Sequence, residues 1–170
     1  MILNDMKIRQ YSKTDNLIAP YKEENLQPCS YDLTLSNQFS KDGTRLDGEY
    51  YTLEPNEFIL ASTNETLNIP NNLCARVEGK SSFGRIGLMV HSTAGFIDPG
   101  FKGSVTLELY NLGSRSIVLH SGACVSQVCF MRLDGVPCGV YGDYGNHYQC
   151  QDGVTESVVE CVDDELYWVV

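Results

Sequence analysis

Little in this chain supports the commoner readings of an acidic, cysteine-bearing sequence. Only 12 lysines and arginines stand against 22 aspartates and glutamates, a formal net charge of −10, and the basic residues gather in no stripe. Capture of polymeric nucleic acid by charge is therefore disfavoured, and an anionic ligand must be held by local cations. No run of 18 apolar residues exists, and Met1 to Gln10 is short and polar rather than an apolar leader. A cytoplasmic protein with neither export nor a membrane span is expected. The seven cysteines (29, 74, 124, 129, 138, 150 and 161) are odd in number and form no Cys-x-x-Cys pair, as reduced thiols would. Zinc spacing is missing too: His91, His120 and His147 are never followed by x-Glu, and Pro28-Cys29 and Pro137-Cys138 lack a second cysteine. The Gly-x4-Gly-Lys-Ser/Thr phosphate loop is absent. No repeat or low-complexity tract divides the 170 residues. They suffice for a single domain, 1–170, burying about 70% of its unfolded surface.

What the chain does have is a succession of short strand-like segments with turns roughly every 8 to 12 residues, the pattern of an all-β sandwich or barrel. Tyr31 to Leu35, Glu57 to Ser62, Leu73 to Val77, Val105 to Tyr110, Ile117 to Leu119 and Cys124 to Leu133 read as strands. Asn37 to Glu49 reads as a loop or weak hairpin, and Ile2 to Tyr11 as a short helix starting near Asn4 or Asp5. The fold class is mostly β, with one or two short helices.

Glu78 to Asn111 concentrates the chemistry. Val105, Leu107 and Leu109 alternate with Thr106, Glu108 and Tyr110, so Glu108 is pushed off the aliphatic face, toward solvent or a ligand. Asp98-Pro99-Gly100 turns the chain sharply, since Pro fixes φ and Gly permits positive φ. The turn is expected to return the 105–110 strand beside the one that leaves Ser81-Ser82. Asp98 either serves its own turn or faces what lies between the strands. Gly79 and Gly84 bracket Lys80, Ser81 and Ser82, and Arg85 follows. Amides near glycine, hydroxyls and two cations suit an anion. Farther on, Gln127 shares a strand face with Val125, Cys129 and Met131, as a satisfied core amide or a reader of a ligand edge.

Gly79-Lys80-Ser81-Ser82-Phe83-Gly84-Arg85, His91-Ser-Thr-Ala94-Gly95-Phe96-Ile97-Asp98-Pro-Gly-Phe101 and Thr106-Leu107-Glu108 resemble the core of the dCTP deaminases, members of the dUTPase superfamily. Met1 to Asp5 and Leu26 to Leu33 match two further blocks. The resemblance implies a distorted jelly roll of the dUTPase-like type, a homotrimer with sites at subunit interfaces, and deoxycytidine or deoxyuridine nucleotides as ligands. It implies that Glu108 moves protons, that Ser81 and the Ala94 backbone orient a water, and that Arg85 fixes Glu108. Asp98 would hold the 3′-hydroxyl and, where the triphosphate is also cleaved, help activate a second water. Lys80, Ser82, Phe83, Gly84, Gly95, Phe96, Thr106, Leu107, Gln127, Tyr141, His147 and Gln151 are the implied nucleotide contacts. Zinc, which makes the hydroxide in other nucleobase deaminases, has no place here, so one carboxylate must shuttle the proton. Mg2+ would arrive on the phosphates, with no metal site of the protein's own.

Gly95-Phe96 after Ala94 is similar to the bifunctional, dUMP-forming group, which favours deamination coupled to pyrophosphate release over a deaminase that releases dUTP. A dUTP diphosphatase is a further alternative, weakened by the presence of Glu108 and the lack of a glycine-rich C-terminal phosphate motif. A nucleotide-sensing regulatory trimer is another. Cys138 to Gly153 resembles a lid over the triphosphate, with Tyr141 and Gln151 at its ends. His147 stands where that lid has a lysine and offers only part of a charge at neutral pH. The acidic segment from Val154 to Val170 has no family counterpart and reads as an added strand, a partner-binding end or a frayed terminus.

Overall fold

The computed structural model describes residues 1–162 and 165–168, the side chains of 160–168 excepted. Of the acidic tail, residues 163, 164, 169 and 170 lie outside the described residues.

The first helix, α1 (Asp5–Thr14), starts where Asn4 and Asp5 suggest and runs on past Tyr11. Asn4 caps it, its Oδ1 accepting from the Lys7 N–H at 3.1 Å, with Asp5 in the first turn and Lys13 in the last. Ile2 and Leu3 are kept out because they pair with a strand: the Leu3 N–H donates to the Phe130 carbonyl at 2.8 Å, and Ile2 bridges Met131.

After β1 (Ile18–Ala19) comes the long hairpin of β2 (Tyr31–Lys41) and β3 (Thr44–Asp47), turning at Asp42-Gly43, both with positive φ. β2 runs on past Leu35 because its polar residues find partners inside the fold. Ser36 and Ser40 are buried, and the Ser36 and Ser62 hydroxyls bond at 2.6 Å. β4 (Tyr50–Leu53) follows, then β5 (Phe58–Asn68), which also exceeds its expected length. Its second half carries Glu65, only 1% exposed, which accepts from the Thr34 N–H and hydroxyl, both at 2.8 Å. Those bonds offset the cost of burying a carboxylate.

Next come β6 (Leu73–Gly79), the single turn α2 (Ser81–Gly84), β7 (Leu88–Val90), β8 (Phe96–Ile97), β9 (Lys102–Asn111), β10 (Ile117–His120) and β11 (Cys124–Arg132). β12 (Val159–Val162) and β13 (Glu165–Trp168) form an antiparallel pair at the C-terminal end. The main sheet runs β7-β9-β5-β2-β11-β6-β8, with β1 on β5 and β3 on β2, while β4 and β10 pair separately. Tyr31, Phe39, Leu107, Leu109 and Phe130 sit in the core it encloses.

The 98–100 turn brings β9 back beside β7, the strand that leaves Ser81-Ser82, as expected from the sequence. Phe96–Ile97, before the turn, pairs with β6, whereas β9, after it, crosses to β5 and β7. The turn thus carries the chain from β8 at one end of the sheet order to β9, next to the other end. No described helix is long and apolar enough to cross a membrane.

Candidate active site

Placing β9 between β5 and β7 settles which way Glu108 faces. Val105, Leu107 and Leu109 are buried, and Thr106, Glu108 and Tyr110 stand on the other face, half-buried. The segment after β7 grips Glu108 twice. The Ser92 N–H donates to Oε2 at 3.1 Å, and the His91 N–H donates to the Glu108 carbonyl at 3.2 Å. The Glu108 side chain keeps 29% of its surface open.

His91 lies within one of the resembling blocks, yet no pattern in the sequence singles it out. Its side chain is 9% exposed, Nδ1 lies 4.0 Å from Glu108 Oε2, and neither ring nitrogen has a hydrogen-bond partner. Its φ of 103° lies where side chains with a β-carbon are uncommon. Burial lowers its pKa, outweighing the opposing pull of Glu108, so the imidazole at the Glu108 carboxylate is neutral at pH 7.

Gly95 follows for a steric reason. Its carbonyl accepts from the Val77 N–H at 2.8 Å, and a β-carbon there would lie 2.5 Å from the Val77 carbonyl oxygen. The 91–97 loop is thereby pinned to β6 at one end and to Glu108 at the other. Asp98 is exposed, and its carboxylate has no partner among the described residues. Tyr141 packs edge-on against Phe101, ring centres 5.4 Å apart, and its N–H donates to the Pro99 carbonyl at 2.7 Å. Burial raises its phenol pKa, keeping the hydroxyl protonated.

These parts meet around a cavity of about 410 Å³. Of the residues expected at the site, Ala94, Gly95, Phe96, Asp98, Thr106, Glu108, Tyr141 and Gln151 line it. Phe58, Leu60, Ile97, Phe101 and Val105 add apolar surface, and His91, Tyr148, Thr155, Glu156 and Ser157 complete it. The lining holds three carboxylates, Asp98, Glu108 and Glu156, and neither lysine nor arginine. Among the described residues no group of three or more His, Cys, Asp or Glu gathers closely enough to hold a metal ion.

The segment that resembles a lid is docked over its second half as a strap. The Gln149 side chain donates to the Gly100 carbonyl and accepts from the Lys102 N–H, both at 2.9 Å. Gln151 Nε2 donates to the Ser104 carbonyl at 2.6 Å, and the Gly153 N–H donates to the Ser104 hydroxyl at 2.8 Å. Gly103, with φ 139°, permits this approach; a β-carbon there would lie 2.7 Å from the Gln151 carbonyl oxygen. Thr155, Glu156 and Ser157 had no signal in the sequence as site residues, since only the strap's path carries them to the cavity.

The remaining expected residues lie apart. Ser81, Ser82, Gly84 and Arg85 are exposed on and after α2, Phe83 packs partly on the core, and none lines the cavity. Within one chain, then, Arg85 does not fix Glu108; the Ser92 N–H does. Lys80 is ion-paired with the buried Asp32. Gln127, half-buried and opposite Asp32 on β11, accepts from the Ser30 hydroxyl at 3.3 Å. The Leu107 side chain is wholly in the core, leaving only its backbone for a ligand. His147 is exposed, its ring 6.4 Å from that of Tyr148. Lys80 to Arg85 and Gln127 thus form a second polar patch around β6 and β11.

Known proteins agree with this architecture. A family model described as dCTP deaminase-like matches residues 42–133. The dCTP deaminase, dUMP-forming, of Streptomyces avermitilis is 43% identical over 180 aligned positions, covering 92% of this chain and 94% of the relative. That of Pseudarthrobacter chlorophenolicus is 40% identical, covering 92% and 94%. Among solved structures, the 2′-deoxycytidine 5′-triphosphate deaminase from Agrobacterium tumefaciens superposes with a TM-score of 0.68 at 22% identity, over 78% of this chain. The match spans about half (48%) of that protein. A mutant dUTPase from phage phi11 of S. aureus, whose structure details the coordination of a structural Mg(II) ion, gives 0.52 at 14% identity, over 78% of this chain and 95% of that one. The last two likenesses concern the fold, which is dUTPase-like. The identity to relatives along nearly the whole chain goes further: this chain belongs to the dCTP deaminase-like family.

Proposed function

We propose that the chain is a zinc-independent dCTP deaminase that couples deamination to cleavage of the triphosphate, giving dUMP, ammonia and pyrophosphate. The observation that carries the reading is Glu108: an accessible carboxylate with one oxygen held by a backbone N–H, on the wall of the cavity. The dUMP-forming relatives support the coupled reaction.

Deamination requires water to add at C4 of cytosine and ammonia to depart, with one water proton ending on the leaving nitrogen and the other on ring N3. Glu108 does both transfers, as base and then as acid. The Ser92 N–H fixes one oxygen and leaves the other to face the water. Asp98, unpaired at the cavity edge, takes the 3′-hydroxyl and serves the second hydrolysis, in which water attacks the α-phosphate and pyrophosphate leaves.

A lining with three carboxylates and neither lysine nor arginine cannot by itself neutralise a triphosphate. The exposed cluster Ser81, Ser82 and Arg85 has the complementary chemistry, so the reading includes a homotrimer in which a neighbour's α2 brings these groups to Glu108. The Gln127 patch would serve the same shared site. Mg2+ arriving with the phosphates would supply further neutralisation. The described cysteines are all unpaired, in keeping with a cytoplasmic protein.

Product analysis tests the reading. With dCTP and Mg2+, ammonia and dUMP should appear together with little free dUTP. Glu108→Gln should lower ammonia release at least about 100-fold with nucleotide binding retained. An E108Q enzyme of full activity would remove Glu108 from this role. Accumulating dUTP would instead indicate a deaminase without the second step.

A further inference from the structure

The strap that closes the cavity brings a carboxylate of its own. We propose that Glu156 is a specificity-determining residue that holds the amino edge of a cytosine base in the Glu108 cavity and so favours dCTP over dUTP as the nucleotide taken up from solution. The proposal rests on the deaminase reading above and adds to it a second reader of the base.

Three observations lead to it. First, Glu156 is delivered to a fixed place. Just before it, the Val154 N–H donates to Gln38 Oε1 and the Thr155 N–H to the Thr106 hydroxyl, both at 3.2 Å. The strap therefore spans from β9 to β2 across the face that carries Glu108.

Second, the sheet register aligns the two carboxylates. Ser40 on β2 is the direct partner of Leu60 on β5, and Leu60 is the direct partner of Glu108 on β9. Directly paired residues project to the same face, so these three form one row. The Ser40 hydroxyl donates to Glu156 Oε1, which anchors Glu156 at the end of the row opposite Glu108. Strands two apart lie about 10 Å from each other, so a pyrimidine ring over Leu60 has an acceptor at either side.

Third, only one oxygen of Glu156 is used. Oε2 has no partner among the described residues, and an ionised carboxylate can only accept. Cytosine presents an amino donor where uracil presents a carbonyl acceptor. Incoming dCTP satisfies Oε2, whereas incoming dUTP sets two acceptors against each other. A site built to bond an N–H rejects the analogue that lacks it.

The test separates recognition from turnover. In an E108Q background without Mg2+, the dissociation constants of dCTP and dUTP are measured by calorimetry, with and without Glu156→Gln. The amide can donate to the uracil carbonyl, so E156Q should weaken dCTP, strengthen dUTP and shift their ratio by about tenfold. Ser40→Ala, which releases the carboxylate but keeps it, should shift the ratio in the same direction by less. If Glu156→Gln does not fold, Ser40→Ala carries the comparison alone. An unchanged ratio, or equal weakening of both nucleotides as from a merely structural wall, overturns the proposal and leaves the deaminase reading standing. Binding of neither nucleotide to E108Q overturns both.

Discussion

His91 combines three features that a side chain with no role would not keep: positive φ, a buried ring and two nitrogens without partners. Burial lowers its pKa below the 6.5 of a free imidazole, so the unfolded chain takes up a proton there before the folded one does. Its contribution to stability is full above pH 6.5 and is lost as the pH falls through the lowered value. His91→Asn, chosen because Asn tolerates positive φ better than most residues, should flatten the pH dependence of stability below 6.5. Urea midpoints at intervals from pH 7.5 to 5 check this; parallel profiles for the two proteins would mean that His91 does not titrate as its burial dictates. Glu108 was legible at this scale, because strict alternation from Val105 to Tyr110 leaves one answer for the direction it faces. His91 was not, since nothing in a sequence says that an imidazole will be buried without a partner. Gly95 was legible as a motif position, but its reason, the Val77 carbonyl, is a contact between distant segments.

Among the elements, the strap has the most to lose from a single change. Ser104 is 2% exposed, and its hydroxyl accepts from the Gly153 N–H at 2.8 Å and donates to the Gly153 carbonyl at 3.2 Å. Ser104→Ala strands both groups and should cost about 1–3 kcal/mol, read as a lower urea midpoint. Limited proteolysis should then cut first between residues 148 and 158; unchanged cleavage would mean that other bonds suffice to hold the strap. Strand existence was legible for the alternating segments and strand length was not. The polar end of β2 reads in the sequence as a loop or weak hairpin, and the polar end of β5 carries no strand pattern. They are strand because Ser36 meets Ser62 and Glu65 meets Thr34 across the β2–β5 pair. β4 is missed for the same reason, since its partner residues on β10 follow 64 to 70 positions later.

For the whole molecule, the decisive fact is that the residues with deaminase chemistry lie in two places, a cavity rich in carboxylate and a patch rich in cation and hydroxyl. Mixed assembly tests whether they meet across subunits. Arg85→Ala and Glu108→Gln chains should each be inactive alone. Unfolded together and refolded one to one, they should regain about a quarter of wild-type ammonia release, the share of interfaces that pair an intact α2 with an intact Glu108. No regain would place both halves of the site within one chain.

The sequence by itself determined the β class, the outward Glu108, the basic and hydroxyl cluster at Lys80 to Arg85 and the family, because alternation and contiguous motifs are local properties. Only the tertiary structure decided what those pieces face. Asp32 takes Lys80, the Ser92 N–H takes Glu108, and the acidic end of the chain returns to bring Glu156 to the cavity. Each of these depends on strand register and chain path, which bring together residues that no pattern in the sequence connects.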